Sequence, residues 1–335
     1  MYKSRLRSTG ICVPKKVVTN QDLEKLMDTS DEWIQQRSGI KERRWIGEGE
    51  TTLSMAVEAS KQAMQNAEVQ ADDIDAIVFG CLVSDYIFPG TGCLLQRELG
   101  FSKTVPALDI RNQCSGFLYG LSVADAWIRA GFYKRVLLVG SEIHSTSLDK
   151  STRGRDISVL FGDGAGAVIV ERSDKDDQYI LGTAIHSEGQ YAEKLTLPKP
   201  SSNDLDKYGA LIRGEDEARN FYPFMDGKFV FKNAVRRMPE ALKEVCDQHS
   251  IALENIDCVI PHQANIRINQ MILEGLGIPL EKSHHTIHKY GNTTMASIPL
   301  TLHDAIQAGK VKEGDTLALI AFGAGFTWGA SLVKF

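Results

Sequence analysis

Cys114, His262 and Asn292 are residue types that can carry acyl chemistry together. Cys114 lies within Asn112-Gln113-Cys114-Ser115-Gly116-Phe117, after a run at 105–110 that reads as a short buried strand. Beyond it Phe117, Leu121, Ala124 and Ile128 recur as the stripe of a buried helix. A thiol at such a junction meets unpaired backbone N–H groups and the positive end of the helix dipole. Both lower a thiol pKa from about 8.5 towards neutrality and make a nucleophile. Cysteine is equally at home as a plain core residue. His262 follows a strand-like run, 256–260, and precedes a helical pattern over 266–276, at the rim where α/β sites form. Asn292 is predicted to follow a strand and to precede a helix over 295–308. An N-cap role for Asn292 and a satisfied polar role for His262 are the structural alternatives.

The order Cys, His, Asn supports two chemistries. In a papain-like hydrolase, histidine activates the thiol and asparagine orients the histidine. The Cys-to-His separation fits that family, but its cysteine context near the mature N-terminus is missing. The second chemistry is carbon–carbon bond formation on an acyl-thioester.

The surrounding elements point to a layered α/β protein. The chain of 335 residues is 43% hydrophobic and 24% charged, which suits one large α/β domain or two lobes. Ile74-Asp75-Ala76-Ile77-Val78 resembles Ile256-Asp257-Cys258-Val259-Ile260, and Ile128-Arg129-Ala130-Gly131 resembles Ile306-Gln307-Ala308-Gly309 at nearly the same separation. Phe161-Gly162-Asp163-Gly164 and Phe322-Gly323-Ala324-Gly325 form a third pair, closer together in the chain. Three matches in one order predict two similar halves, 1–172 with the cysteine and 173–335 with His262 and Asn292. Helix–strand alternation predicts buried, mainly parallel strands. The polar stretch 198–227 is predicted to be a long surface excursion, either a lid or a plain loop.

Net charge −5 argues against general nucleic-acid affinity. No segment reaches the roughly 20 apolar residues that span a bilayer, and residues 1–14 lack the apolar run of a signal peptide. The six cysteines show no C-x-x-C or zinc spacing, a usage expected of reduced thiols in the cytoplasm.

Joined together, the motifs resemble the β-ketoacyl-(acyl-carrier-protein) synthase III family from end to end. They are Thr29-Ser30-Asp31-Glu32-Trp33-Ile34, Arg37-Ser38-Gly39-Ile40, Cys114-Ser115-Gly116-Phe117, Phe161-Gly162-Asp163-Gly164-Ala165-Gly166-Ala167, Pro261-His262-Gln263-Ala264-Asn265, Gly291-Asn292-Thr293 and Phe326-Thr327-Trp328-Gly329. The resemblance implies a thiolase-like fold, internally duplicated in a layered αβαβα arrangement, and a homodimer. It implies that Cys114 takes an acyl group from acyl-CoA and that malonyl-acyl carrier protein then decarboxylates and condenses. His262 and Asn292 would stabilise the enolate oxygen, and the backbone N–H groups of Cys114 and Ala324 would form the other oxyanion hole. Trp33, Arg37 and Arg155 match positions that grip CoA, with Arg153 competing for the last of these. Phe88 matches an aromatic that floors the partner's acyl pocket, or else packs at the interface. Lys232, Arg236 and Arg267, with Arg237 beside them, are expected to dock the acidic carrier protein; a solvated basic face is the alternative. No metal and no cofactor is implied beyond acyl-CoA as substrate.

Some features mislead or depart from the family pattern. Gly162-Asp163-Gly164-Ala165-Gly166 is not a dinucleotide fingerprint, since a strand follows it instead of a helix. His284, His285 and His288 look like a metal cluster but are predicted to lie in a strand without an acidic partner. Asn112-Gln113 replaces the small residues usual before the nucleophile, and Ala324 replaces a usual glycine. The Asn112-Gln113 change and the 198–227 excursion, longer than in compact family members, lie where they affect the acyl pocket or its entrance and leave room for a longer or branched acyl primer. Acyl transfer without decarboxylation, in specialised metabolism, is an alternative activity. A non-catalytic partner subunit is another, although such subunits typically lose the nucleophile.

Overall fold

Continuous apolar strand runs such as 136–139 and 317–322, buried on both faces, build this fold in layers. The structure is a computed structural model and describes residues 1–198 and 222–335. Its strands are β1 (Lys3–Cys12), β2 (Lys16–Thr19), β3 (Glu42–Trp45), β4 (Ala76–Gly80), β5 (Ala107–Ile110), β6 (Arg135–Glu142), β7 (Gly164–Ser173), β8 (Tyr179–Ser187), β9 (Leu195–Thr196), β10 (Phe224–Met225), β11 (Cys258–Pro261), β12 (Thr316–Gly323) and β13 (Thr327–Lys334). One sheet has the order β1-β7-β6-β4-β5 and the other β8-β13-β12-β11.

Both sheets are buried on two faces. Val136 and Leu138 of β6 join Leu317 and Leu319 of β12 in a cluster between the sheets, around the helices Gly116–Arg129 and Ser297–Gln307. Leu137 and Val139 point the other way, onto the helix Thr52–Ala67. Ala318 and Ile320 face the helices Gly227–Gln248 and Ile266–Leu276. The result is the five-layer αβαβα arrangement of a thiolase-like fold. The predicted stripe Phe117, Leu121, Ala124 and Ile128 is fully buried in the middle layer. Each such side chain contributes roughly 1.5–3 kcal/mol when it is large and apolar, and together they anchor the helix that Cys114 precedes.

The strands are mixed, which corrects the expectation of mainly parallel pairing. β4 pairs in parallel with β5 and β6, and β11 with β12. β1–β7, β6–β7, β12–β13 and β13–β8 are antiparallel. The cause lies in the connections, because β12 turns straight back through 324–326 into β13. β6 returns to β7 only after residues 143–163. That difference in length explains the closer spacing of the third repeated pair.

Two further expectations change. The run at 105–110 yields only β5, a sheet edge with Leu108 exposed, so it is not a buried strand. The segment holding the three histidines is no strand either: Ile287–Tyr290 is a short helix, and His284 Nε2 lies 2.6 Å from Asp304, an acidic partner absent from the sequence reading. Of the 198–227 excursion, residues 199–221 lie outside the described residues. Its described flanks are joined by antiparallel pairing of β9 with β10.

Candidate active site

Cys114 occupies a 3-10 turn, Gln113–Ser115, that runs directly into the helix Gly116–Arg129. The tight turn after β12 packs against it from the other sheet. A Cβ added to Gly323 would sit 2.6 Å from the Cys114 Cβ, so only glycine allows this approach. The turn brings the Ala324 backbone N–H to the thiol, beside the N–H of Cys114 itself. The described non-glycine residues with positive φ are Glu68, Gln113, Ser250 and Thr294, so Ala324 needs no left-handed backbone.

The electrostatics of the thiol differ from the sequence expectation. Burial and then the Glu142 carboxylate push Cys114 up to about 12, against the lowering by the two N–H groups. Desolvation of the charged form is the larger effect. The resting group is therefore a thiol whose anion is held by backbone donors once formed. Alkylation of Cys114 by iodoacetamide, followed by peptide mass, is expected to speed up about tenfold per pH unit above neutrality. A plateau at neutral pH would mean that the backbone donors outweigh burial.

His262 extends from the end of β11, with its N–H donating to Ile320 O at 2.8 Å. Its Nδ1 lies 2.6 Å from Ser297 Oγ. Because the Gln263 N–H donates to that oxygen, the Ser297 hydroxyl proton is available for Nδ1. The ring proton then belongs on Nε2, which is buried without a hydrogen-bond partner among the described residues. Burial drives His262 down to about 3, with His144 adding to the effect, so the ring is neutral.

Asn292 is clamped by its backbone. Its N–H donates to Leu160 O at 2.8 Å, and its carbonyl accepts from Gly162 at 3.0 Å. A Cβ on Gly162 would lie 2.1 Å from Tyr290 O, so the glycine-rich motif serves this close packing and not phosphate binding. The Thr294 N–H donates to Asn292 Oδ1 at 2.8 Å. A backbone donor requires oxygen there, which leaves the side-chain NH2 for the cavity that Asn292 lines. The predicted strand before Asn292 is the short helix noted above, and a 3-10 turn, Thr294–Ala296, precedes the helix Ser297–Gln307.

Cys114, His262, Asn292 and Ala324 all line one cavity of about 1390 Å³, as do Asn112 and Gln113. Trp33 and Arg37 stand on the same cavity wall, on the helix Asp31–Ser38, capped by Ser30 and ended by Gly39 at φ 80°. The Arg37 and Arg155 guanidinium carbons lie 4.5 and 5.3 Å from the Trp33 ring centre. Arg153 also lines the cavity, where it pairs with Asp149.

Other predicted residues lie outside that centre. Phe88 is 84% exposed and continues an exposed apolar run with Tyr86 and Ile87. Lys232 and Arg236 are exposed on one face of the helix Gly227–Gln248, and Arg267 is exposed at the cavity wall. Arg237 is different: it bonds Glu188 and lies over the Trp328 ring at 4.5 Å, so it belongs to the body of the protein. Lys228, one turn before Lys232, extends the basic stripe and was missed in the sequence reading.

Residues 108–189 match the 3-oxoacyl-[acyl-carrier-protein (ACP)] synthase III family, and residues 246–335 match its C-terminal region. The beta-ketoacyl-[acyl-carrier-protein] synthase III of Alkalilimnicola ehrlichii is 42% identical over 335 residues, covering 100% of both chains. The chain belongs to the β-ketoacyl-(acyl-carrier-protein) synthase III family. The 3-oxoacyl-[acyl-carrier-protein] synthase III structure from Aquifex aeolicus superposes with a TM-score of 0.90 at 44% identity, covering 99% of this chain and 100% of that one. The priming β-ketosynthase of the R1128 polyketide pathway also has a TM-score of 0.90, at 29% identity over 99% of this chain and 96% of that one. Members of this synthase III family are condensing acyltransferases of fatty-acid synthesis, and that is the role of this chain. Among the described residues no helix is long and apolar enough to cross a membrane.

The sequence reading missed Ser297, Thr294, Glu142 and His144 around the family's site. Glu142 had a readable signal, since it is a carboxylate just past the apolar run 136–140 of a strand. Ser297 had none, because its partner His262 is remote in the chain, and the Thr294 hydroxyl had none because His144 and Glu142 are remote as well.

Proposed function

We propose that the protein condenses an acyl-CoA primer with malonyl-acyl carrier protein through an acyl thioester on Cys114. The observation that carries this reading is the convergence of two separate donor pairs on one buried thiol and one cavity. Cys114 attacks the acyl-CoA carbonyl, the Cys114 and Ala324 N–H groups hold the resulting oxyanion, and CoA leaves as its thiol with the proton lost by Cys114. In the second half the malonyl C–COO⁻ bond breaks and CO₂ departs. The electron pair moves onto the thioester oxygen, which accepts from His262 Nε2–H and the Asn292 NH2. The enolate carbon then attacks the acyl-Cys114 carbonyl, and the cysteine leaves as thiolate and takes up one proton from solvent to restore the thiol. No protein cofactor enters these steps.

Trp33, flanked by Arg37 and Arg155, is assigned to CoA, where stacking and phosphate pairing suit those side chains. Lys232, Arg236 and Arg267 are assigned to the acidic carrier protein, chiefly through association rate. The exposed Phe88 run and the open β5 edge support a homodimer, with Phe88 entering the partner's acyl pocket. Residues 1–172 and 173–335 are read as duplicated halves. Six unbridged cysteines support a reducing, cytoplasmic setting.

The test is incubation with a panel of acyl-CoAs, then malonyl-carrier protein, while following Cys114 peptide mass, CO₂ and product. A β-ketoacyl product with CO₂ release is expected. Acyl transfer without CO₂ would overturn the reading. Asn112 and Gln113 at the cavity wall support a primer longer or more branched than acetyl, which rapid, exclusive acetylation would refute.

A further inference from the structure

We propose that Glu142 and His144, joined by the Thr294 hydroxyl, are positioning residues that set the Asn292 amide for the malonyl half-reaction. This rests on the function proposed above. Thr294 is the junction of the arrangement. Its backbone N–H holds Asn292 Oδ1 at 2.8 Å, and its hydroxyl oxygen lies 3.0 Å from His144 Nε2. The same hydroxyl faces the Glu142 carboxylate and favours its charged form. Thr294 holds φ at 43°, a left-handed conformation that a β-branched residue rarely adopts. Such a backbone persists where surrounding contacts over-determine it, and the two ends of the hydroxyl clamp supply those contacts.

Each end is itself fixed. Glu142 accepts the Leu82 N–H at 2.8 Å and the Met295 N–H at 3.4 Å, so it grips the residue after Thr294 as well. His144 has its backbone N–H on Asp163 Oδ1 at 2.7 Å, and its ring packs on Phe161 with centroids 4.6 Å apart. Phe161 in turn bridges to Asn292. Burial drives His144 down to about 3, so a neutral ring offers Nε2–H to Thr294 while the threonine O–H points to Glu142. The network therefore closes on Asn292 from its backbone side and its amide side, while neither the Ala324 N–H nor the His262–Ser297 contact passes through it. Acylation of Cys114 and decarboxylation of malonyl-carrier protein should separate in variants of this network.

The test compares Thr294→Val, Thr294→Ser, Glu142→Gln and His144→Leu with the wild-type protein. Two rates are read in each: acylation of Cys114 by peptide mass, and CO₂ release from malonyl-carrier protein on the preformed acyl-enzyme. Thr294→Val and His144→Leu are expected to lose about 10- to 100-fold in the second rate and little in the first, whereas Glu142→Gln should lose similarly in the second and gain in the first, because it removes a charge that holds the Cys114 thiol up. Thr294→Ser should restore most of it. Equal loss in both rates, or no loss in the second, would overturn the proposal. If Thr294→Val does not fold, the same decision falls to His144→Leu, which leaves the charge beside Cys114 unchanged. A wild-type protein that never acylates Cys114 would instead sink the proposed reaction itself, which separates the two failures.

Discussion

Cys114→Ala is expected to lower β-ketoacyl formation by at least about 10⁴-fold, because no other group can carry the acyl chain between the two half-reactions. Alanine keeps the Cβ against which Gly323 packs, so the turn bearing the Ala324 N–H stays in place. His262 retains Ser297 and Asn292 retains Thr294, since neither contact involves the sulfur. The variant should therefore fold, fail to gain acyl mass, and still decarboxylate malonyl-carrier protein at a measurable rate. Intact-protein mass and CO₂ release read the two outcomes separately. Acyl transfer persisting in Cys114→Ala would mean that the acyl group passes directly from CoA, and the thioester intermediate would be lost from the mechanism.

How far the sequence could show this depends on how local each feature is. The helix behind Cys114 was legible because Phe117, Leu121, Ala124 and Ile128 all face one buried layer. The helix Ile266–Leu276 was legible for the same reason, helped by Asn265, which caps it through the Arg267 N–H. The positions of His262 and Asn292 near element ends were legible too. The thiol's electrostatics were not. A strand-to-helix junction announces N–H donors, yet the burial that outweighs them comes from the opposite sheet, across a turn more than 200 residues away in sequence. The 105–110 run misled because a short apolar run does not tell an edge strand from a central one. Arg237 misled because it adjoins Arg236 in sequence, whereas the helix turns it to another face, where Glu188 and Trp328, both remote in the chain, draw it inward.

His262→Ala and Asn292→Ala should each slow decarboxylation by about 10²–10³-fold, the usual cost of removing one preorganised donor from a developing oxyanion. Both donors converge on one oxygen in this reading, so the double variant should lose less than the product of the single losses. The rings and amides involved are not needed for the first half-reaction, where the Cys114 and Ala324 N–H groups hold charge. Acyl transfer to Cys114 is therefore expected to fall far less than CO₂ release in either variant. Equal losses would assign His262 a different task, removal of the thiol proton, as in a cysteine hydrolase. The pH dependence provides an independent check. Burial lowers His262 to about 3, so it remains a neutral Nε2–H donor as pH falls through the ordinary histidine range near about 6.5. Decarboxylation on the preformed acyl-enzyme should show no inflection from His262 there. An inflection that disappears in His262→Ala would instead place a titrating imidazole in the reaction and refute the neutral-donor role.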